Sequence, residues 1–327
     1  MWQNKLYDLF LRLRSNKPQS NTYEVESIDA QLPHKLGCSK DGTPVFFVES
    51  SDEEKTQDIK LTLFSVMYNR LCDVIEHTTQ ERQVAKYAVI QLNSDEEEFQ
   101  KYFLDVMYMI LKKLPSRPEN LVLDAEIKKI ITLFTNAKKP SKEAIRGLFA
   151  ELLVIDASRD PYYLLRSWHV ATNDPFDFND GKDKIEVKSS TKEGRSHKFA
   201  LRQLLPPPEA KLVVASIFVL QSGFGMNVYE LMDRISLRIQ DDLELLLYLR
   251  EMVTATVGKY FNEVSEYRFD YGVSMDSYAL YNSKDIPCIP VEQIPNEITN
   301  VHFTVDMSGL KPVNSQEYKS DLINALL

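Results

Sequence analysis

Apolar and polar positions change their period along this chain, and the changes divide it. The runs TYEVESI, TPVFFVES, IKLTLFSVMY and KYAVIQL, between residue 22 and Leu92, are short and rich in β-branched and aromatic residues. Turn formers bound them, which predicts strands and a β-rich N-terminal region. Ahead of them WQNKLYDLFLRLRS has helical apolar spacing and predicts an amphipathic helix opening at Met1-Trp2, closed by the turn-rich SNKPQSNT. Beyond Leu92 the spacing becomes helical again. Glu96 to Leu114 and Asn120 to Phe134 read as helices split by Pro115-Ser116-Arg117-Pro118, with Phe99, Phe103, Val106, Met107 and Ile110 as a core-facing stripe. Asp95 to Glu98 puts acids at a helix start, where the helix dipole favours them, and Asp52-Glu53-Glu54 reads as a loop.

After the loop NAKKPS, the segment PSKEAIRGLFAELLVID predicts a helix with Ser141 as its N-cap. Ile145, Leu148, Phe149 and Leu152 form its buried stripe, and Glu151 falls at the edge of that stripe. Gly147, one turn earlier, is unfavourable inside a helix, which suggests close packing there. Downstream, KLVVASIFVL has the length and composition of a buried strand, helices are expected from Asn227 to Phe261, and strand-like pieces with Pro-rich turns run to VHFTVDM. The predicted fold class is mixed α/β, with a central mixed sheet flanked by helices and an additional β-rich N-terminal region. The expected domains are residues 1–139 and 140–327.

Composition narrows the classes. At 327 residues, 43% hydrophobic and 27% charged, the chain is of ordinary globular type. No apolar run reaches the length of a membrane span, and the first helix carries Lys5, Asp8, Arg12 and Arg14, so neither membrane insertion nor secretion is expected. Cys38, Cys72 and Cys288 are widely spaced and lack a CxxC pattern, which fits a cytoplasmic location and no structural zinc. A net charge of −9 argues against a non-specific polyanion binder. Between Lys182 and Arg202, however, seven basic residues face three acidic ones. Lys184, Lys192, Arg195, His197, Lys198 and Arg202 are therefore candidate nucleic-acid contacts.

The chemistry concentrates in DPFDFNDGKDKIEVK, Asp174 to Lys188. Asp180-Gly181 is a two-residue hairpin signal. With that tip, Asn179 pairs with Lys182, Phe178 with Asp183, and Asp177 with Lys184. Strand alternation then puts Asp177, Lys184, Glu186 and Lys188 on one face, and Phe176, Phe178, Ile185 and Val187 on the other. Asp177 and Glu186 become diagonal neighbours about 7–8 Å apart, close enough to share one cation. Asp174 has the opposite parity and points away. Two carboxylates suit Mg²⁺, and Lys188 lies where a cation can meet a phosphate and a water. An amphipathic hairpin with a solvated charged face is the plainer alternative.

Glu151, Pro175-Phe176-Asp177 and Glu186-Val187-Lys188, followed by HKFALRQL, KLVVASIFVL and NVYELMDRI, resemble the PD-(D/E)XK, or restriction-endonuclease-like, nuclease superfamily. Within it the chain is similar to a bacterial family found in restriction and phage-defence gene clusters. The resemblance implies a restriction-endonuclease-like core in residues 140–327, with a C-terminal extension. It implies an endonuclease that hydrolyses DNA, with Asp177 and Glu186 binding Mg²⁺ (Mn²⁺ substituting), aided by the Val187 carbonyl. Glu151 would assist, Lys188 would position and activate water, and Gln203 would contact the metal-bound water or phosphate. Implied partners are DNA, other proteins of a restriction or defence operon, and a second copy of the chain, with residues 1–139 binding DNA or a partner. The alternative from another class is a non-catalytic DNA-binding or assembly subunit on a nuclease-like fold.

Overall fold

The computed structural model describes residues 5–15, 22–51, 56–135, 139–170, 174–191 and 194–326. The opening of the first helix at Met1-Trp2, most of SNKPQSNT, the Asp52-Glu53-Glu54 loop and Lys192 lie outside the described residues. The chain forms two compact units, Met1–Lys138 with Arg250–Asn262, and Lys139–Leu249 with Glu263–Leu327.

The first unit contains α1 (Lys5–Ser15), strands β1 (Thr22–Ser27), β2 (Lys35–Cys38), β3 (Pro44–Val48), β4 (Ile59–Lys60), β5 (Phe64–Glu76) and β6 (Arg82–Leu92), then α2 (Glu97–Lys113) and α3 (Asn120–Thr135). The run IKLTLFSVMY, read as one strand, is divided between β4 and β5. The sheet order is β1-β2-β3-β6-β5-β4, and β1 also pairs in parallel with the far end of β5, Thr22 opposite Asp73. That pairing closes five of the strands into a ring, which removes free strand edges there. Val25, Val45, Phe47, Cys72, Val74, Tyr87 and Val89 fill its interior. A Cβ on Gly37 would come within 2.9 Å of the Phe47 ring, so this position accepts only glycine without repacking. Outside the ring, Phe46 and Phe64 meet Phe103 of α2, and Phe99 stacks on Phe261 at 5.1 Å.

The second unit contains α4 (Lys142–Ala157), α5 (Pro161–Ser167), β7 (Phe178–Asn179), β8 (Lys184–Ser190), β9 (Ser196–Ala200), β10 (Leu212–Phe218) and β11 (Gln221–Met226). It continues with α6 (Val228–Arg238), the start of α7 (Leu243–Val257), the end of α8 (Phe261–Ser265), α9 (Tyr271–Ser277), β12 (Ala279–Asn282), β13 (His302–Asp306) and α10 (Asp321–Asn324). Residues 250–262, expected in the second unit from sequence, group with the first. The reason is packing, since Phe261 also lies against Tyr102 and Phe134. The central sheet of the second unit has the order β12-β10-β8-β7. β8 and β10 run parallel in register, Glu186 opposite Val214 and Lys188 opposite Ser216. β10 is buried almost throughout, as its unbroken apolar run predicts. A second pair, β9 with β13, lies beside it. No helix among the described residues is long and apolar enough to cross a membrane.

Candidate metal and catalytic site

Helix α4 begins where the sequence places it, with the Ser141 hydroxyl accepting from the Ala144 N–H. It packs on α6 and on β8, which sets Glu151 beside the central sheet. Gly147 does not have the expected close contact. A Cβ there meets nothing within 4 Å among the described residues, because its face of α4 is open.

The β7–β8 turn differs from the sequence expectation in register but not in parity. Asn179 pairs with Lys184 and Phe178 with Ile185, so the turn holds four residues rather than two. The cause is the Asp180 carboxylate, which accepts from the Lys182 and Asp183 N–H groups and holds those residues in the turn, while Gly181 takes φ +88°. Extending the register one step sets Asp177 directly opposite Glu186, rather than diagonally. Asp174 turns back into its own loop, accepting from the Phe176 N–H and the Asn179 amide.

The site is built on this pair. The Asp177 carboxylate accepts from the Val187 N–H at 2.7 Å, so the backbone of the opposing strand fixes it. Glu186 is 1% exposed. Its Oε1 accepts from Lys188 Nζ at 2.6 Å and from Gln203 Nε2 at 2.5 Å. Gln203 sits in a 3₁₀ turn, Leu201–Leu204, directly after β9. Its Oε1 accepts from Lys188 Nζ at 3.0 Å and from the Ala200 N–H, and its Nε2 also donates to the Pro175 carbonyl. The Lys188 ammonium lies 5.0 Å from the Phe199 ring centre. Glu151 Oε2 accepts from the Trp168 indole and contacts His169 Nε2, each at 2.8 Å.

Electrostatics mark the cluster as under-neutralised. Burial, the Glu186 charge and the Glu151 charge push Asp177 well above the usual carboxylate range. Burial pushes Glu186 up to about 7, with Lys188 pulling it down and Glu151 adding to the rise. Burial disfavours the His169 cation, but its contact with Glu151 outweighs that and raises the imidazole above its ordinary value. Three acids converge on one lysine and one histidine, and Glu186 Oε2, fully buried, has no hydrogen-bond partner. Glu151, His169 and Asp177 each bring one ligand atom within 4.8 Å of the others. A divalent cation fits the donor set of Glu151, His169 and Asp177, because it would supply positive charge where three acids lie close together.

The basic stretch fares differently. Lys184 is 5% exposed and its ammonium is spent on Asn179 and the Asp183 carbonyl. Arg195 donates to the Ser216 and Ser277 carbonyls and stacks over Phe218. His197 is 3% exposed and bonds to Ser216 Oγ, and burial lowers its pKa to about 4. All three are engaged within the fold, Lys184 and His197 buried and Arg195 half-buried, a different setting from the exposed one expected of nucleic-acid contacts. Lys198 and Arg202 are exposed.

His169 does not stand out in the sequence, where five scattered histidines suggest no structural zinc site. It reaches the cluster because the chain after α5 doubles back along β7: Trp168 bridges to Phe178, and the His169 N–H donates to the Asp177 carbonyl at 2.9 Å. The available signal was the Trp168-His169 pair itself, two ring N–H donors a few residues before Asp177.

A family model described as "Putative PD-(D/E)XK family member, (DUF4420)" matches residues 8–308. No curated protein and no solved structure matches the chain.

Proposed function

Because the chain belongs to that PD-(D/E)XK family, we propose that it is a divalent-cation-dependent endonuclease that hydrolyses DNA phosphodiester bonds in bacterial restriction or phage defence. The observation that carries this reading is the clustering of Glu151, Asp177 and Glu186, whose charges act on one another, with Lys188 bonded to Glu186. On this reading the second unit carries a restriction-endonuclease-like core. Asp177 and Glu186 hold the cation, Mg²⁺ or Mn²⁺, and Glu151 completes its surroundings. When bound, the cation polarises the scissile phosphate and offsets the charge that develops on the departing oxygen.

The remaining roles belong to the chain. Lys188, pinned between Glu186 and Gln203, presents its ammonium as a point charge to the attacking water and the phosphate. Gln203 bonds to both Lys188 and Glu186 and so helps to hold the two side chains in place. The Val187 N–H fixes the Asp177 carboxylate, so little reorganisation is needed as charge develops. Water attacks phosphorus, the bond to the 3′ oxygen breaks, and the products carry 5′-phosphate and 3′-hydroxyl ends. Lys198 and Arg202, both exposed near the 3₁₀ turn, meet the backbone of the substrate. The first unit supplies contacts to DNA or to a partner protein.

The test is cleavage of supercoiled plasmid, methylated and unmethylated, with Mg²⁺, Mn²⁺ or EDTA. Wild type should nick in metal and not in EDTA. Asp177→Ala and Lys188→Ala should each lose about 10³-fold or more while keeping the wild-type circular dichroism spectrum. Full cleavage by folded Lys188→Ala would sink the assignment.

A further inference from the structure

The donor set beside Asp177 is not made of oxygen alone. His169 Nε2 stands 2.8 Å from Glu151 Oε2, and the ligand atoms of Glu151, His169 and Asp177 all lie within 4.8 Å of one another. An octahedral ion with bonds of about 2.1 Å holds its ligands roughly 3 to 4.2 Å apart, so one ion can span the three. The imidazole is placed there by the backbone. The His169 N–H is tied to the Asp177 carbonyl, Trp168 bridges to Phe178, and the Tyr248 hydroxyl donates to the Trp168 carbonyl.

A role limited to steadying Glu151 accounts poorly for this placement. The Trp168 indole already donates to the same Glu151 oxygen at 2.8 Å, so a second ring nitrogen on that atom is redundant as a support. A ring nitrogen among carboxylates has a chemical consequence of its own. Imidazole suits first-row transition ions, whereas Mg²⁺ favours oxygen ligands and retains its waters.

We infer that His169 is a nitrogen ligand of the cation in this site and that it makes the site selective for Mn²⁺ over Mg²⁺. The inference rests on the proposed reading that Asp177 and Glu186 hold a cation, and it adds which of these two cations the site prefers. Glu186, whose charge bears on Asp177, has a buried Oε2 without a hydrogen-bond partner, a second sign that this part of the molecule is short of positive charge.

The experiment uses the full chain, titrated with MnCl₂ and separately with MgCl₂ by calorimetry, for wild type, His169→Asn and Asp177→Ala. Asparagine is chosen because it tolerates the left-handed backbone at this position (φ 44°). Pulsed electron paramagnetic resonance on the Mn²⁺-loaded wild type provides a second readout that needs no variant to fold. His169→Asn should weaken Mn²⁺ by about tenfold or more and Mg²⁺ by less than about threefold, in the range seen when a metal site loses one supporting group. The wild-type spectrum should show ¹⁴N coupling. Equal losses for both metals, or a wild-type spectrum with no ¹⁴N coupling, overturns the assignment of His169 and leaves the carboxylate site standing. Unaltered binding of both metals by Asp177→Ala overturns the cation site itself, and this inference with it.

Discussion

Helix α4 carries two acids five residues apart, Glu151 and Asp156, in opposite circumstances. Asp156, 7% exposed, is matched on every side. Arg234 approaches both its oxygens, the Tyr271 hydroxyl donates to Oδ2 at 2.8 Å, and Arg238 caps the end of the helix through the Ser158 carbonyl. Around Glu151 the balance is reversed. Asp177 and Glu186 lie within reach, with Lys188 and a histidine as the only positive groups among the cluster's described members. The five-residue separation turns the two acids about 140° apart around the helix, so they meet different surroundings. A buried acid with its charge partner stabilises a particular fold, and a buried acid without one stores a demand for a cation.

The comparison can be broken most forcefully at Asp156. Replacing it with alanine should cost about 2–3 kcal/mol of stability, because the buried carboxylate that accepts from Tyr271 and from the half-exposed Arg234 is lost. Chemical denaturation with and without Mn²⁺ checks this, and the metal-dependent part of the stability should be unchanged. If metal binding falls as well, the two faces of α4 are not independent.

The next effect is on the pH dependence of the Glu151 side. Asp177 and Glu186 have folded-state pKa values above their ordinary ones. Such acids favour the folded state below their ordinary pKa, and that contribution fades as pH climbs through the folded value, here about 7 for Glu186. In EDTA the protein should therefore lose stability between pH 5 and pH 8, by on the order of 2–3 kcal/mol. A cation reverses the trend, because it binds the ionised carboxylates. The gap between the Mn²⁺ and EDTA melting temperatures should widen across that window, and a constant gap would contradict the linkage. Cleavage should fall in acid for the same reason.

The smallest effect is expected at Gly147. A methyl group there meets open space, and alanine is the better helix former. Gly147→Ala should raise stability by about 0.5–1 kcal/mol. Unchanged cleavage would show that the open face is unused, whereas lost cleavage in a stabilised protein would place substrate against it.

What could be read in the sequence was local. The alternation through DPFDFNDGKDKIEVK places Asp177, Glu186 and Lys188 on one face whether the turn has two residues or four, since both are even. The turn's actual length depends on the Asp180 carboxylate choosing backbone donors at 182 and 183, a competition that spacing does not reveal. The closed ring in the first unit was hidden because β1 and β5 meet across about fifty residues, and only the strands themselves have a local signature. Charge that is continuous along the basic stretch is divided between different settings in three dimensions. Alternation on β9 turns His197 inward and Lys198 outward, and Arg195 has its hydrogen bonds taken up by backbone carbonyls. His169 needed a chain reversal to reach Asp177, which no periodicity encodes.

The left-handed backbone at His169 bears on how this protein would respond to improvement. A side chain at φ 44° sits where glycine is at ease and most residues are strained, by about 1 kcal/mol. A campaign that ranked variants by melting temperature in chelating buffer would credit His169→Gly with relief of that strain, set only against the lost Glu151 contact. It would also reward Gly147→Ala, and nothing in its scores would separate the substitution that spares the site from the one that strips a ring from it. Thermal tolerance and chemical competence diverge at this residue, so a library built on this chain should be screened with metal present.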